Sequence, residues 1–169
     1  MVSTSSPKHG IGVGPGYVRD PEYRPDFKGK LLHQAAIYSN ASLLADLLRG
    51  SQKKYINEAD SYGRTALHAV CAVEVVEKEE SVECVRILLE SAADPNVQAK
   101  EIYSRYTPLH IAAKDGKLQM VRLLVEYGAD LDARDVKRLT AVELARINFR
   151  QDVVKYLKNK HGRIFVSLA

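Results

Sequence analysis

The sequence predicts an all-α solenoid, in which about four pairs of short helices stack side by side with β-hairpin fingers between the pairs. Three observations predict it. A short motif recurs at spacings of 35, 42 and 33 residues, an apolar stretch with helical periodicity follows each copy, and turn-forming residues close two of the copies. With 169 residues, the chain can bury roughly 70 % of its unfolded surface. Stacked repeats can therefore form a core without disulfides or metal.

The recurring motif predicts the first helix of each pair. It reads TALHAVCA from Thr65, TPLHIAAK from Thr107 and TAVELARI from Thr140, and a degraded copy, KLLHQAAI, begins at Lys30. The threonine is a good N-cap, because its hydroxyl can accept a hydrogen bond from a free N–H of the first turn. Pro108 follows at the first helical position, where its missing N–H costs nothing.

The second helix of each pair is predicted by the apolar stretch that follows the motif. These stretches are ASLLADLL, VECVRILL, LQMVRLLV and QDVVKYLK, beginning at Ala41, Val82, Leu118 and Gln151. Gly116 is available for a positive φ in the turn between two helices, and Gly128 ends a second helix. The spacing of apolar positions predicts these core residues: Leu67, Leu88, Leu109, Ile111, Val121 and Leu124.

The phased motifs resemble the ankyrin repeat, over residues 30 to about 160. The resemblance implies that His33, His68 and His110 are structural, since they fill one position of three repeats and would tie each repeat to the next. It also implies a protein-binding domain without catalysis, in which the fingers and the first helices line a concave groove for the partner. Repeats are expected at about 30–62, 63–104, 105–137 and 138–162, with atypical first and last copies.

Two repeats depart from the regular length. The second repeat has six extra residues around 74–81, for which we expect a lengthened inner helix and a solvated turn. The alternative is an acidic lip on one edge of the groove, formed by Glu77 to Glu80. The finger before Thr107 has three extra residues, and its sequence AKEIYSRY presents aromatic side chains.

The ends of the chain differ in composition from the repeats. Residues 1–29 are rich in glycine and proline, which predicts a flexible arm. The alternative is that Tyr17, Tyr23 or Phe27 docks on the first repeat. Residues 163–169 are expected to form a C-terminal tail. No apolar run at the N-terminus suggests a secretory signal, so we expect an intracellular location, cytoplasmic or nuclear.

The candidate chemistry is sparse. Cys71 and Cys84 are expected to be reduced core residues, and a disulfide between them is the alternative. No nucleophile lies in a recognisable catalytic motif, and no histidine, cysteine and aspartate cluster has the spacing of metal ligands. We therefore expect no enzyme activity, no cofactor and no metal.

The expected partner is a protein or peptide, bound by a monomer without membrane insertion. Its sites follow from the surface positions of the repeat, where tyrosine and arginine often dominate binding energy. They are Tyr62, Arg64, Ile102, Tyr103, Arg105, Tyr106, Lys114, Lys137 and Leu139, with Ser61, Asp115, Val136, Ile147 and Asn148 as further free positions. This aromatic and basic set favours a partner segment with apolar anchors and acidic flanks.

The alternative partner is a nucleic acid. The net charge is −4 over residues 61–98 and +6 over residues 136–169, so the basic end could face phosphates. Its basic residues are Lys137, Arg138, Arg146, Arg150, Lys155, Lys158, Lys160 and Arg163. Because they spread around the last repeat, and cations at a helix C-terminus also serve capping, nucleic acid is the less expected partner.

Overall fold

The computed structural model describes residues 28–73 and 77–166, with side chains described as far as His161. Eight α-helices occupy these ranges, arranged as four consecutive pairs. They are α1 (Lys30–Ile37), α2 (Ala41–Arg49), α3 (Ala66–Ala72), α4 (Glu79–Glu90), α5 (Pro108–Asp115), α6 (Leu118–Glu126), α7 (Ala141–Ile147) and α8 (Gln151–Val166). The predicted all-α repeat solenoid is confirmed.

The pairs stack in two rows. The first helices α1, α3, α5 and α7 pack on one another in chain order, and the second helices α2, α4, α6 and α8 form a parallel row. Each inner helix is short and carries small residues at its contacts, such as Ala112 and Ala113 in α5, both fully buried. All six residues predicted as core are buried, with at most 5 % of their surface exposed.

Each threonine of the motif begins its helix as predicted. His110 donates its backbone N–H to the hydroxyl of Thr107, and the His110 ring returns the contact: its Nδ1 accepts from the Thr107 N–H, 3.2 Å away. The Thr65 N–H makes the same bond to Nδ1 of His68, at 3.1 Å. Threonine and histidine together therefore satisfy donors at the helix start, as in a capping box.

The second nitrogen of each histidine joins neighbouring repeats. Because Nδ1 of His68 and of His110 accepts, their Nε2 atoms carry the proton. Nε2 of His68 donates to the carbonyl of Tyr106 and that of His110 to the carbonyl of Leu139, at 3.0 and 3.1 Å. Nε2 of His33 lies 2.8 Å from the carbonyl of Arg64. The structural role expected of these histidines is confirmed.

These buried histidines predict a stability that falls in mild acid. Burial lowers the pKa of His68 from 6.5 to about 4, and lowers that of His110 as well. Between about pH 4 and pH 6.5, the unfolded chain therefore binds protons at these histidines that the folded chain does not bind. Their contribution to stability is complete above pH 6.5 and falls as the pH is lowered. Urea unfolding should show a loss of about 2 kcal/mol between about pH 7.5 and 5 from His68 alone.

The control is His68→Gln, which keeps a hydrogen-bonding group but removes the titration. This variant is less stable at neutral pH, and its unfolding free energy should vary less with pH than that of the wild-type protein. Equal pH dependence of the two proteins would contradict the assignment.

The fingers are tight loops, and the β-hairpin geometry expected for them is not confirmed, since residues 28–73 and 77–166 contain no strand. We define the first, second and third fingers as residues 57–64, 96–106 and 132–139. One backbone bond closes each finger: Asp60 N–H to Arg64, Ala99 to Tyr106, and Asp135 to Leu139.

Aspartate organises the short fingers. The carboxylate of Asp60 accepts from the N–H groups of Tyr62 and Arg64, and Asp135 repeats this arrangement in the third finger. The second finger has Ala99 at this position, and its three extra residues form a 3-10 helix, Glu101–Tyr103. Neighbouring fingers are joined because Lys100 N–H donates to the Tyr62 carbonyl and Val136 N–H to the Ser104 carbonyl.

The second repeat differs from its prediction. Its inner helix, α3, has 7 residues, as many as α7, so the inner helix is not lengthened. The longer element is the outer helix α4, with 12 residues against 9 in α6. The extra chain therefore lies between α3 and α4 and in the first turn of α4. Cys71 and Cys84 are free thiols in the core, so the disulfide alternative is wrong.

The end repeats close the stack differently. In α7, Glu143 takes the place of histidine: its carboxylate accepts from the N–H and the hydroxyl of Thr140, at 2.7 and 2.9 Å. These bonds hold the pKa of Glu143 below its usual value. Helix α8 continues to Val166. The arm with Tyr17, Tyr23 and Phe27 lies outside the described residues.

Candidate functional site

A cleft of about 170 Å³ lies between the second finger and the inner helices α3 and α5. Residues of the finger form one wall, and the ends of the two helices form the other. The lining residues are Ala72, Ile102, Tyr103, Ser104, Tyr106, Ile111, Lys114 and Asp115. Four of the nine predicted partner-binding residues, Ile102, Tyr103, Tyr106 and Lys114, thus line one concave space.

Arg64 anchors the wall of this cleft. Its guanidinium lies between two rings, 4.8 Å from the centroid of Tyr62 and 5.0 Å from that of Tyr103. Its other side pairs with the carboxylate of Asp60 at 2.6 Å. Arg64 is only 5 % exposed, so it is not the free surface residue that the repeat register predicts. It fixes the first finger against the second by cation–π contacts and an ion pair.

The two tyrosines of the second finger continue this packing into the cleft. The rings of Tyr103 and Tyr106 meet edge to face at 6.5 Å, and Tyr106 stacks on the ring of buried His110 at 5.9 Å. The ammonium of Lys114 lies 5.9 Å from the Tyr106 centroid. Both tyrosines are half-buried. Tyr103 thus packs against Arg64 of the first finger and Tyr106 against α5, and both tyrosines also line the cleft.

The remaining predicted residues lie apart from the cleft. Arg105 is exposed, and its guanidinium donates to the side chain of Gln98 at 3.0 Å. Lys137 is exposed at the tip of the third finger, whereas Leu139 is half-buried at its base. Of the further positions, Asp115 lines the cleft, and Asn148 donates to the carbonyl of Leu144.

Exposed apolar side chains are also found in the fourth repeat. Ile147 is 58 % exposed and Val136 is 48 % exposed, both at predicted free positions. Phe149, which the sequence reasoning missed, is 84 % exposed. It follows the end of α7 with a φ of +59°, at the position held by Gly116 in the third repeat. A phenylalanine after an asparagine in a short turn carries little sequence signal for such exposure.

The residues around the second-repeat insertion join it to the third repeat. Nζ of Lys117, 1 % exposed, donates to the carbonyls of Cys71 and Val73 at 2.7 and 2.8 Å. In return, the carboxylate of Glu77 accepts from the N–H groups of Gln119 and Met120. Glu77 therefore caps the start of α6, which argues against the acidic lip that began at this residue.

Arg150 has the place of Lys117 one repeat later. Its Nε donates to the carbonyl of Lys114 at 3.2 Å, and its stem fills the space above Gly116, where a Cβ would come within 2.7 Å of the Arg150 side chain. A basic residue just before the outer helix thus caps the inner helix of the preceding repeat. The sequence carries this regularity, since Lys117 and Arg150 occupy the same register position in two repeats.

A second cavity of about 250 Å³ opens at the far face of the fourth repeat. It lies among Leu131, Val142 and Leu157, with Lys158 and His161 at its edge. This is the face on which a further helix pair would stack in a longer solenoid. Because none of the nine predicted partner-binding residues lines it, the cleft under the second finger is the stronger candidate site.

Titratable groups in the core are held in unreactive forms. Burial raises the pKa of the Cys71 thiol to about 12 and that of Cys84 to about 11, so neither forms the thiolate needed for nucleophilic attack. Both ring nitrogens of His68 and of His110 are engaged. Among the described residues, no group of side chains could hold a metal ion, and none of the described helices is long and apolar enough to cross a bilayer.

Comparison with known families identifies the repeat. The family model for ankyrin repeats in three copies matches residues 73–166, which is more than half of the chain. The chain belongs to the ankyrin repeat family. The stacked helix pairs, the capping threonines and the histidines that reach the next repeat agree with the match.

Several ankyrin-repeat relatives are similar over parts of their length. Human transient receptor potential cation channel subfamily A member 1 is 30 % identical over 78 % of this chain and 11 % of its own length. The mouse B-cell lymphoma 3 protein homolog is 32 % identical over 63 % of this chain and 24 % of its own. The Drosophila melanogaster ARF GTPase-activating protein Git is 41 % identical over 41 % of this chain and 9 % of its own. The chain spans at most about a quarter of these relatives.

Membership in the family carries a general function. Ankyrin repeats are generally protein–protein interaction modules and are typically not catalysts. The relatives differ widely in what their names describe, so the shared part is the repeat scaffold. Which surface of this ankyrin domain binds, and what it binds, must be argued from its own residues.

Proposed function

We propose that this ankyrin domain binds a segment of a partner protein in the groove between its fingers and inner helices, with an apolar side chain of the partner in the cleft under the second finger. The observation that carries the proposal is the exposure of Ile102. It is 74 % exposed at the rim of a cleft whose floor includes buried Ile111. An exposed isoleucine beside Ala72 and Ile111, in a cleft whose other walls carry polar groups, suits a partner segment with one apolar side chain.

The cleft is preformed, which favours binding. The Tyr62–Arg64–Tyr103 sandwich and the stack of Tyr106 on His110 fix the finger wall before any partner arrives. Side chains already held in place lose little conformational entropy on association. The partly exposed tyrosine rings can contribute apolar area and a hydroxyl hydrogen bond to the same partner.

The chemistry of the cleft suits a peptide segment of mixed character. Lys114 and Asp115 lie side by side on its helix wall, so they can meet the polar groups of a peptide backbone that crosses the groove. An apolar anchor flanked by acidic residues remains the partner segment that the aromatic and basic side chains favour. Monomeric state, intracellular location and the domain limits at residues 29 and 162 stay predictions.

Ile102→Ser should weaken partner binding at least about tenfold and leave stability nearly unchanged, because the side chain is mostly exposed in the unbound domain. The partner is first identified by affinity purification with the wild-type chain and mass spectrometry. Its dissociation constant is then measured for both proteins by calorimetry, and melting temperatures are recorded in parallel.

The matched control is Leu43→Ser. Leu43 is 46 % exposed on outer helix α2, away from the groove, and undergoes the same kind of change. It should leave affinity unchanged. If Leu43→Ser and Ile102→Ser weaken binding equally, or if neither does, the groove assignment is wrong. Tyr103→Ala with Tyr106→Ala serves as a second test, since lower stability with full affinity would also reject the groove.

The nucleic-acid alternative finds less support in the arrangement of its basic residues. Lys137 and Arg138 lie on the third finger, Arg146 and Arg150 at the end of α7 and after it, and the lysines on outer helix α8. Arg150 is engaged with Lys114. A titration with duplex DNA and with RNA at two salt concentrations decides it, since phosphate binding would give a steep salt dependence.

A further inference from the structure

Three residues share one position of the fingers, two residues before the threonine that caps the next helix. They are Gly63, Arg105 and Arg138, with φ angles of +77°, +53° and +63°. All three therefore have left-handed backbone, which favours glycine. The second and third fingers carry arginine where the first carries glycine.

Packing explains why the first finger keeps its glycine. A Cβ on Gly63 would come within 2.8 Å of the backbone nitrogen of Lys100, because the second finger lies directly against it. Arg105 and Arg138 have a Cβ without such a conflict, but left-handed backbone is still unfavourable for them. Glycine would be the more stable residue at both positions.

The arginines gain little inside the molecule in return. Both are exposed. The Arg105 guanidinium makes one neutral hydrogen bond, to Gln98. In the part of the chain that the structure describes, the Arg138 guanidinium has no carboxylate partner. Their exposure and their few partners inside the molecule leave both guanidinium groups accessible to an external ligand.

The two arginines lie on adjacent fingers in a basic surrounding. Their fingers are joined by the bond from Val136 N–H to the Ser104 carbonyl, 3.0 Å long. Exposed neighbours on these fingers are mostly cationic. They are Lys100, Arg134 and Lys137, with Glu101 and Asp132 as the exposed acidic residues among them. Exposed Ile102 and Val136 lie between the charges.

We propose that Arg105 and Arg138 form an arginine pair that binds the carboxylates of an acidic peptide segment, whose apolar residue occupies the cleft under the second finger. The proposal rests on the proposed function and specifies its partner. Arginine suits this role because its planar fork can bind a carboxylate with two parallel hydrogen bonds. The apolar residues between the charges favour a peptide over a purely anionic polymer.

The test is a selection of random twelve-residue peptides displayed on phage, with the full chain as bait. The wild-type chain should enrich peptides with acidic residues beside an apolar one. The Arg105→Gly, Arg138→Gly double variant should lose the acidic preference and keep the apolar one. Enriched acidic peptides, synthesised and titrated, should bind the double variant at least about tenfold more weakly, with a smaller dependence on salt.

The same variants have an opposite effect on stability. Relief of the left-handed strain should raise the melting temperature by about 2–4 °C for each of the two arginines that is replaced by glycine. Weaker binding together with higher stability separates a binding role from a structural one. Lys155→Gly is unsuitable as a control because it breaks a helix, so Lys155→Gln on the exposed face of α8 is used, and it should change neither property.

The outcomes distinguish this inference from the proposed function. If peptides are enriched without an excess of acidic residues, or if the double variant keeps the acidic preference, the arginine pair is rejected and the groove stands. If nothing is enriched, both are rejected. A fall in melting temperature for both glycine variants would show that the arginines are structural, and would also overturn the inference.

Discussion

Leu109→Ala is expected to lower the free energy of unfolding by about 2–5 kcal/mol, the usual cost of a leucine deletion in a packed core. Leu109 is 1 % exposed and lies in the first turn of α5, which packs between α3 and α7. The cavity would lie in a middle repeat. Because each repeat of a solenoid is stabilised by its neighbours, the loss affects two interfaces. Urea unfolding followed by circular dichroism measures it.

Leu43→Ala is the matched control for this prediction. It removes the same atoms from a helix, but Leu43 is 46 % exposed on α2, so little apolar area returns to water on truncation. It should cost less than about 1 kcal/mol. A change within about 0.5 kcal/mol for Leu109→Ala would show that the repeat register is wrong.

The regular repeat elements could be predicted from the sequence because each is determined by local chemistry. Thr107 caps, Pro108 begins the helix and Gly116 takes a positive φ, and each of these preferences acts over a few residues. The motif also predicts a structural role for the histidines, because the same residue type at the same position of several repeats is expected to make the same contacts. Phase across the copies then fixes which leucines are buried.

The fingers show where such reasoning ends. Repeat register places Arg64 on the surface, but Tyr103 of the next finger and Asp60 of its own enclose the guanidinium. That enclosure depends on how far the second finger, lengthened by three residues, leans on the first. Length alone does not reveal this. The close approach of the second finger also places the Lys100 backbone against Gly63, so a side chain does not fit there. Arg105 and Arg138 occupy the equivalent position in the other two fingers.

The insertion in the second repeat could be located but not interpreted. The acidic residues around 74–81 suggest, from the sequence alone, a solvent-exposed segment at the edge of the domain. Glu77 instead accepts two N–H groups at the start of α6, 42 and 43 residues further on. Helix starts attract carboxylates from any nearby segment, and single-chain order does not say which segment is near. The acceptors of Lys117 are similarly distant in sequence, 46 and 44 residues before it.

Lys117→Met is expected to lower the free energy of unfolding by about 2–5 kcal/mol. Methionine can fill the volume of the stem, but it cannot donate to the carbonyls of Cys71 and Val73, which Lys117 meets at 2.7 and 2.8 Å. A buried acceptor left without a donor costs about 1–3 kcal/mol. The bond to Cys71 is buried and the bond to Val73 is partly buried, so the loss at Cys71 is the larger. Lys155→Met, on the exposed face of α8, makes the same substitution and should stay within about 0.5 kcal/mol.

Coupling with Glu77 separates a loss of this clamp from a general loss of packing. Lys117 holds the end of α3, and Glu77 attaches the residues just before α4 to the start of α6, so both fix the same connecting segment to the third repeat. Once one of these attachments is lost, the segment is already more mobile, so loss of the other should cost less free energy. Lys117→Met and Glu77→Gln together should therefore cost less than the sum of the single changes, by about 0.5 kcal/mol or more. Strict additivity in urea unfolding would show that the two attachments act independently, and that the buried lysine stabilises α3 alone.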